Sequence, residues 1–144
     1  GIGPRVAQEL ENHPDIQNLP NLDIAPFFRG GLSLMERLID SDQAFIIDAI
    51  EGLGGKPGTI HRLSLDDLPT LYADSSHDIS LKDAMMLGKR LGVRLPDEVV
   101  IFAVEIEGKL EFSESLSPEV EASIPILKET ILTELKQRIQ PTKD

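Results

Sequence analysis

Two stretches of this chain are apolar at every position: Ala44-Phe45-Ile46-Ile47 and Val99 through Val104. A strand with one wet face alternates, and an amphipathic helix repeats every three or four residues. Short unbroken runs instead mark strands buried on both faces, inside a sheet that helices cover. Helical patterns surround both runs. Ile2, Val6 and Leu10 fall at helical spacing over Ile2 to Asn12, with Pro4 in the first turn and His13-Pro14 as the stop. Leu34, Leu38 and Ile39 mark a short amphipathic helix after Gly30-Gly31. Ser80-Leu81-Lys82-Asp83 is a capping-box signature. It opens a helix whose apolar face is Leu81, Ala84, Met85, Gly88 and Leu91, closed by Gly92. Ser117-Pro118-Glu119 opens the last helix, striped by Val120, Ile124, Leu127, Ile131, Leu135 and Ile139 and kinked at Pro125. The alternation predicts an α/β fold: a three-layer α/β/α sandwich with a largely parallel twisted sheet.

The predicted strands are Gln43 to Ile50, Thr59 to Leu63 and Val99 to Val104, with Leu22 to Phe28 as a weaker candidate because of Pro26. Gly52 to Gly58 holds four glycines and a proline and reads as a tight connection. Asp66 to Leu71 reads as a helical turn interrupted by Pro69. Nothing in the 144 residues argues for a repeat or a second domain, so one domain over 1–144 is expected.

Composition narrows the function. Fourteen basic against 25 acidic residues give a net charge of −11, which repels phosphate backbones and anionic membrane surfaces, so no nucleic acid and no membrane is expected as partner. The absence of cysteine removes disulfides, thiolate metal sites and thiol nucleophiles together, and fits a cytoplasmic location. No stretch reaches the roughly 20 apolar residues of a membrane span. No Gly-x-Ser-x-Gly elbow and no P-loop ending are present.

Two residues carry the chemistry. Asp48 follows the apolar run Ile46-Ile47, at the carboxyl end of a buried strand, where open α/β sheets hold their sites. It either caps a turn or ligates. His77 lies in a loop of Ser and Asp residues just ahead of the capped helix, and is either a solvated loop histidine or a ligand. Carboxylate plus imidazole suits nickel or zinc. A third ligand is needed, or the metal arrives already held by something else; Glu51, Asp74 and Asp78 are the local candidates, each read against the plainer role of solvating its loop. His13 and His61 read as surface residues. Glu105, Glu107, Glu111 and Glu114 read as a charged, solvated stretch.

In order along the chain stand Gly1-Ile2-Gly3-Pro4-Arg5-Val6-Ala7, Gly30-Gly31, Ile47-Asp48-Ala49, Pro57-Gly58-Thr59, Ser76-His77-Asp78 and Leu116-Ser117-Pro118-Glu119-Val120. This ordered set resembles the hydrogenase maturation proteases, endopeptidases that remove the C-terminal extension of the nickel-iron hydrogenase large subunit precursor. The resemblance implies that Asp48 and His77 are catalytic and contact the metal, and that Gly30 and Gly31 meet the substrate. The metal implied is nickel supplied by the substrate, with zinc or another divalent ion able to substitute. The family's third metal contact is an acid in a loop that falls immediately before Gly1. On this basis the chain is expected to lack the family's N-terminal strand and first acidic loop. Arg29 departs from the pattern, since many members carry an acid before the paired glycines. The alternative function is a non-catalytic α/β binding module that recognises a metalloprotein precursor or a small ligand.

Overall fold

The computed structural model describes residues 2–25, 30–68, 79–107 and 116–139. In chain order the elements are α1 (Ile2–Glu11), α2 (Pro14–Gln17), α3 (Gly31–Arg37), β1 (Gln43–Ile50), β2 (Ile60–Leu63), a 3-10 turn (Leu65–Asp67), α4 (Leu81–Arg90), β3 (Glu98–Glu105) and α5 (Pro118–Arg138). β1 and β3 contain the two apolar runs, but the expected burial on both faces fails for β1, which lies at the edge of the described sheet and is buried only at Ala44 and Ile50, with Phe45 to Ala49 half-buried. Between Val99 and Val104 every side chain of β3 is buried, as the unbroken pattern requires.

The sheet order is β1-β3-β2, with β3 central. Asp97 donates its backbone N–H to the Asp42 carbonyl, and Ile106 donates to that of Ile50. Both bonds run from the β3 side to the β1 side at nearly the same sequence offset, which is parallel pairing. Glu105 instead exchanges backbone bonds with the two residues just ahead of β2, its carbonyl accepting from Gly58 N–H at 2.8 Å and its N–H donating to the Thr59 carbonyl at 2.8 Å. Two residues opposite one make a β-bulge in an antiparallel pair. The described sheet is therefore small and mixed. The weaker strand candidate is not borne out over Leu22–Ala25, which carries no regular element, and its remainder lies outside the described residues. Next to Pro26 the backbone of that segment forms no ladder.

The chain divides by its internal contacts into two compact units. One comprises Gly1–Pro26, Ile47–Ile60 and Val104–Asp144. Here α1 buries Ile2, Val6, Ala7 and Leu10, and α5 buries Val120, Ile124, Leu127, Ile131 and Leu135 along the expected stripe. Each such side chain contributes about 1.5–3 kcal/mol on burial. Ser123 is also buried, and its hydroxyl donates to the Val120 carbonyl at 2.6 Å. α5 runs continuously through Pro125. An ionic network joins α1 to α5: Arg5 grips Glu121 through two bonds of 2.9 and 2.5 Å, and Glu9 accepts from both Arg5 and Lys128.

The other unit comprises Phe27–Ile46 and His61–Ala103. α3 and α4 pack together around Met35, Ala84, Met85 and Leu95. Ser80 caps α4, accepting the Asp83 N–H at 3.1 Å. The expected apolar face of α4 holds for Leu81, Ala84, Met85 and Gly88. Leu91 departs from it and is 72% exposed. The reason is that α4 ends at Arg90, and Leu91 already belongs to the turn closed by the Val93 N–H to Gly88 carbonyl bond. α3 is likewise centred on Met35, leaving Ile39 exposed beyond its end. Arg94 bonds the Asp40 carbonyl at 2.6 Å and pairs with Asp42, fixing the chain as it enters β1.

Candidate functional site

Asp48 is the sixth residue of β1, two short of its end at Ile50. It is half-buried. Its Oδ1 accepts the N–H of Ala49 at 2.8 Å, a local bond that orients the carboxylate. The strand carries it to the carboxyl edge, as the apolar run ahead of it predicts. Just before it, α1 comes in close. A side-chain carbon added at Gly3 would stand 2.5 Å from the Ile47 carbonyl oxygen. Only glycine lets the first turn of α1 approach the Asp48-bearing strand this nearly.

After β1 the chain runs through Glu51 to Thr59, mostly exposed. This loop is held by Glu105. Contrary to the reading of Glu105 as part of a solvated stretch, the residue is only 3% exposed. Its Oε2 accepts the Leu53 N–H at 3.0 Å and its Oε1 the Gly55 N–H at 3.2 Å. The sequence signal was its position: Glu105 sits between Val104 and Ile106 and extends the buried run. The loop returns at Gly58, whose φ is +90° and which also lies against the Glu119 backbone at the start of α5. Near Ile50 the parallel register sets Glu105 opposite Ile50. Alternation then carries the Asp48 and Glu105 side chains to the same face of the sheet.

In the other unit, Gly30 is the N-cap of α3, with no side-chain cap bond. Gly31 meets the backbone of Ile79, Ser80 and Leu81, where an added side-chain carbon would come 2.7 Å from the Leu81 nitrogen. This close packing is a structural reason for a glycine at 31. His77 lies outside the described residues, as do Asp74, Asp78 and Arg29. Among the described residues no three His, Asp or Glu gather to hold a metal ion. Glu51 is exposed at the end of β1. His61 is half-buried on β2. His13 is half-buried as well and caps α2, its Nδ1 accepting the Asp15 N–H at 3.1 Å.

Carboxyls on α1, α2 and α5 are held low by neighbouring cations. Lys128 and Arg5 hold the Glu9 carboxyl below its ordinary value, Arg5 does the same for Glu121, and Lys136 for Asp15. These groups tie α1 and α2 to α5. A shallow hollow lies on the same surface, lined by Leu10, His13, Pro125, Lys128, Glu129 and Leu132 rather than by Asp48. No described helix is long and apolar enough to cross a membrane.

Residues 4–134 match the family model described as hydrogenase maturation protease. The hydrogenase 2 maturation protease of Escherichia coli strain K12 is 28% identical over 138 residues, which is 94% of this chain and 82% of that protein. Solved structures agree. The hydrogenase maturating endopeptidase from Escherichia coli superposes with a TM-score of 0.67 at 26% identity, covering 95% of this chain and 83% of that one. A solution structure of an endopeptidase from the same organism gives 0.69 at 29% identity, with 95% and 83% covered. The hydrogenase 2 maturation peptidase of a Thaumarchaeota archaeon gives 0.61 at 28% identity, with 94% and 87% covered. The match spans α1 to α5 and every described strand, and the chain belongs to the hydrogenase maturation protease family, endopeptidases that hydrolyse a peptide bond.

Proposed function

We propose that this endopeptidase removes the C-terminal extension of a nickel-loaded hydrogenase large subunit precursor, and that it does so in a metal-dependent way with Asp48 and His77 as the groups that meet the metal. The observation that carries the reading is the family match across 4–134, which includes Asp48 near the carboxyl end of β1. Nickel arrives with the substrate, so an empty precursor offers nothing to grip. Zinc or another divalent ion substitutes when the substrate is absent. One carboxylate and one imidazole are donor types that suit nickel and zinc, and the rest of the coordination would come with the substrate's metal or from a third ligand. When bound, such an ion acts as a Lewis acid toward a carbonyl or a water.

The chain's own residues supply the placement. Ala49 N–H holds Oδ1 of Asp48 and so limits how its carboxylate can turn. Gly30 and Gly31 present backbone to the substrate, with no side chain in the way. No Ser, Cys or Thr nucleophile enters the reaction. The fold reading that accompanies this is one domain, a three-layer α/β/α sandwich with a largely parallel sheet, supported by the parallel β1–β3 pair. The setting is cytoplasmic, in keeping with a chain that has no cysteine.

The test is cleavage of a nickel-loaded precursor by Asp48→Asn and His77→Ala. Each is expected to lower kcat/KM by at least about a hundredfold, the scale of losing a group that acts on the transition state. Tail removal by both at the rate of the unaltered protein would sink the assignment. Metal binding without any cleavage by the unaltered protein would favour a binding module.

A further inference from the structure

We propose that Glu105 is a positioning residue for this protease: its buried carboxylate fixes the glycine-rich loop after β1, and through it the setting of Asp48. The proposal rests on the reading of Asp48 as a group that meets the substrate. Glu105 holds the loop at four points. Its carboxylate takes the N–H groups of Leu53 and Gly55, and its backbone bonds Gly58 and Thr59.

The far end of the loop is also shaped by a turn, in which the Thr59 N–H and hydroxyl donate to the Lys56 carbonyl at 3.0 and 2.7 Å, but at Leu53 and Gly55 the bonds are those of Glu105. Gly52, Gly54, Gly55 and Lys56 are exposed, and an added side-chain carbon at Gly52 or Gly54 would touch nothing. A segment with so little packed side chain cannot be ordered by burial. Glu105 itself is 3% exposed, and a buried carboxylate is costly unless it accepts hydrogen bonds. Those bonds go to an exposed loop that starts three residues after Asp48, at the sheet edge where α/β sites form. A carboxylate spent on the shape of an exposed loop points to a loop whose shape matters to what approaches from solvent.

The experiment uses the full chain and the Glu105→Gln variant. Glutamine matches the size but offers one acceptor oxygen, so one of the two loop N–H groups loses its partner. Three quantities are read: thermal unfolding, amide hydrogen exchange at Leu53 and Gly55, and kcat and KM for a nickel-loaded precursor. The variant is expected to be folded at the assay temperature and to exchange one or both amides about tenfold or more faster, as loss of a bond to a charged group implies. Its kcat is expected to fall about tenfold to a hundredfold with KM within about twofold, the mark of a misplaced reacting group. Unchanged exchange overturns the proposal, and so does faster exchange with unchanged kcat, which reduces Glu105 to a scaffold. If the unaltered protein fails to cleave, the protease reading falls and takes the proposal with it. If it cleaves and Glu105→Gln cleaves equally well, only the proposal falls. Should Glu105→Gln not fold, Glu105→Asp is read the same way, since it keeps the charge and withdraws the carboxylate by one methylene.

Discussion

Gly3 and Asp48 depend on each other through a single carbonyl. The Ile47 oxygen occupies the space that a side chain at position 3 would need. Alanine there gains helix propensity of up to about 1 kcal/mol, but must push α1 away from β1. The clash is with backbone, which cannot swing aside, so the net effect of Gly3→Ala is expected to be a loss of about 1–3 kcal/mol. Urea titration measures it. Because the displaced strand segment immediately precedes Asp48, cleavage is expected to suffer beyond the loss of folded protein. Equal stability for Gly3→Ala and the unaltered chain would show that α1 does not need this approach. At the same scale, His13 shows how a residue read as surface can still have work in the fold, since its ring nitrogen starts α2.

Among the elements, α5 contains the clearest internal conflict. Pro125 lies well inside a helix of 21 residues. Its missing N–H leaves the Glu121 carbonyl without its helical donor, and its ring crowds the preceding turn. Pro125 is exposed, so little packing is lost on replacement. Pro125→Ala is therefore expected to raise stability by about 1–3 kcal/mol. A melting curve unchanged or lowered would show that the distortion is needed for the fit of α5 to α1. The strands illustrate what local pattern can and cannot reveal. Gln43–Ile50 is legible to the residue because apolar content and turn signals coincide at both ends. Leu22–Ala25 has apolar residues but no ladder. Hydrogen-bonded pairing is a property of two segments, and one segment's composition does not contain it. The exposure of Leu91 has the same origin, since helical spacing persists in sequence past the point where the hydrogen bonds stop.

For the whole molecule, charge sets the response to pH. At neutral pH a net charge of −11 opposes the compact state. Glu9, Asp15, Asp67 and Glu121 have folded values held below their ordinary ones by Lys128 and Arg5, Lys136, the Ser64 N–H and hydroxyl, and Arg5. A depressed carboxylate contributes stability above its unfolded value and loses it as pH falls through its folded value. Two trends follow at low salt. The melting temperature is expected to change little as pH drops from about 8 toward about 5, because these carboxylates stay ionised in both the folded and the unfolded chain. Below about 4 it is expected to fall as they protonate. Added salt should raise the melting temperature over the first range, since it screens repulsion among the exposed charges. A melting temperature that climbs steadily down to pH 3 would contradict the sign of those shifts. Arg5→Gln, which removes the partner of both Glu9 and Glu121, should shift the acid limb to higher pH.

The sequence by itself determined where β1 and β3 run, the full burial of β3, the capped helices and the identity of Asp48 as a ligand candidate, because those follow from patterns within one segment. Short-range physics wrote them: a cap needs only the next three residues, and a buried strand only its own composition. Tertiary structure alone decided the role of Glu105. The residues flanking Glu105 in sequence do not say that its carboxylate closes a loop 50 residues upstream. It also decided why Gly3 and Gly31 must be glycine, since the atoms that forbid a side chain come from Ile47 and from Ile79 to Leu81. The mixed direction of the sheet belongs to the same class. The antiparallel return of β2 depends on which residues Glu105 pairs with, and pairing is settled only when distant segments meet.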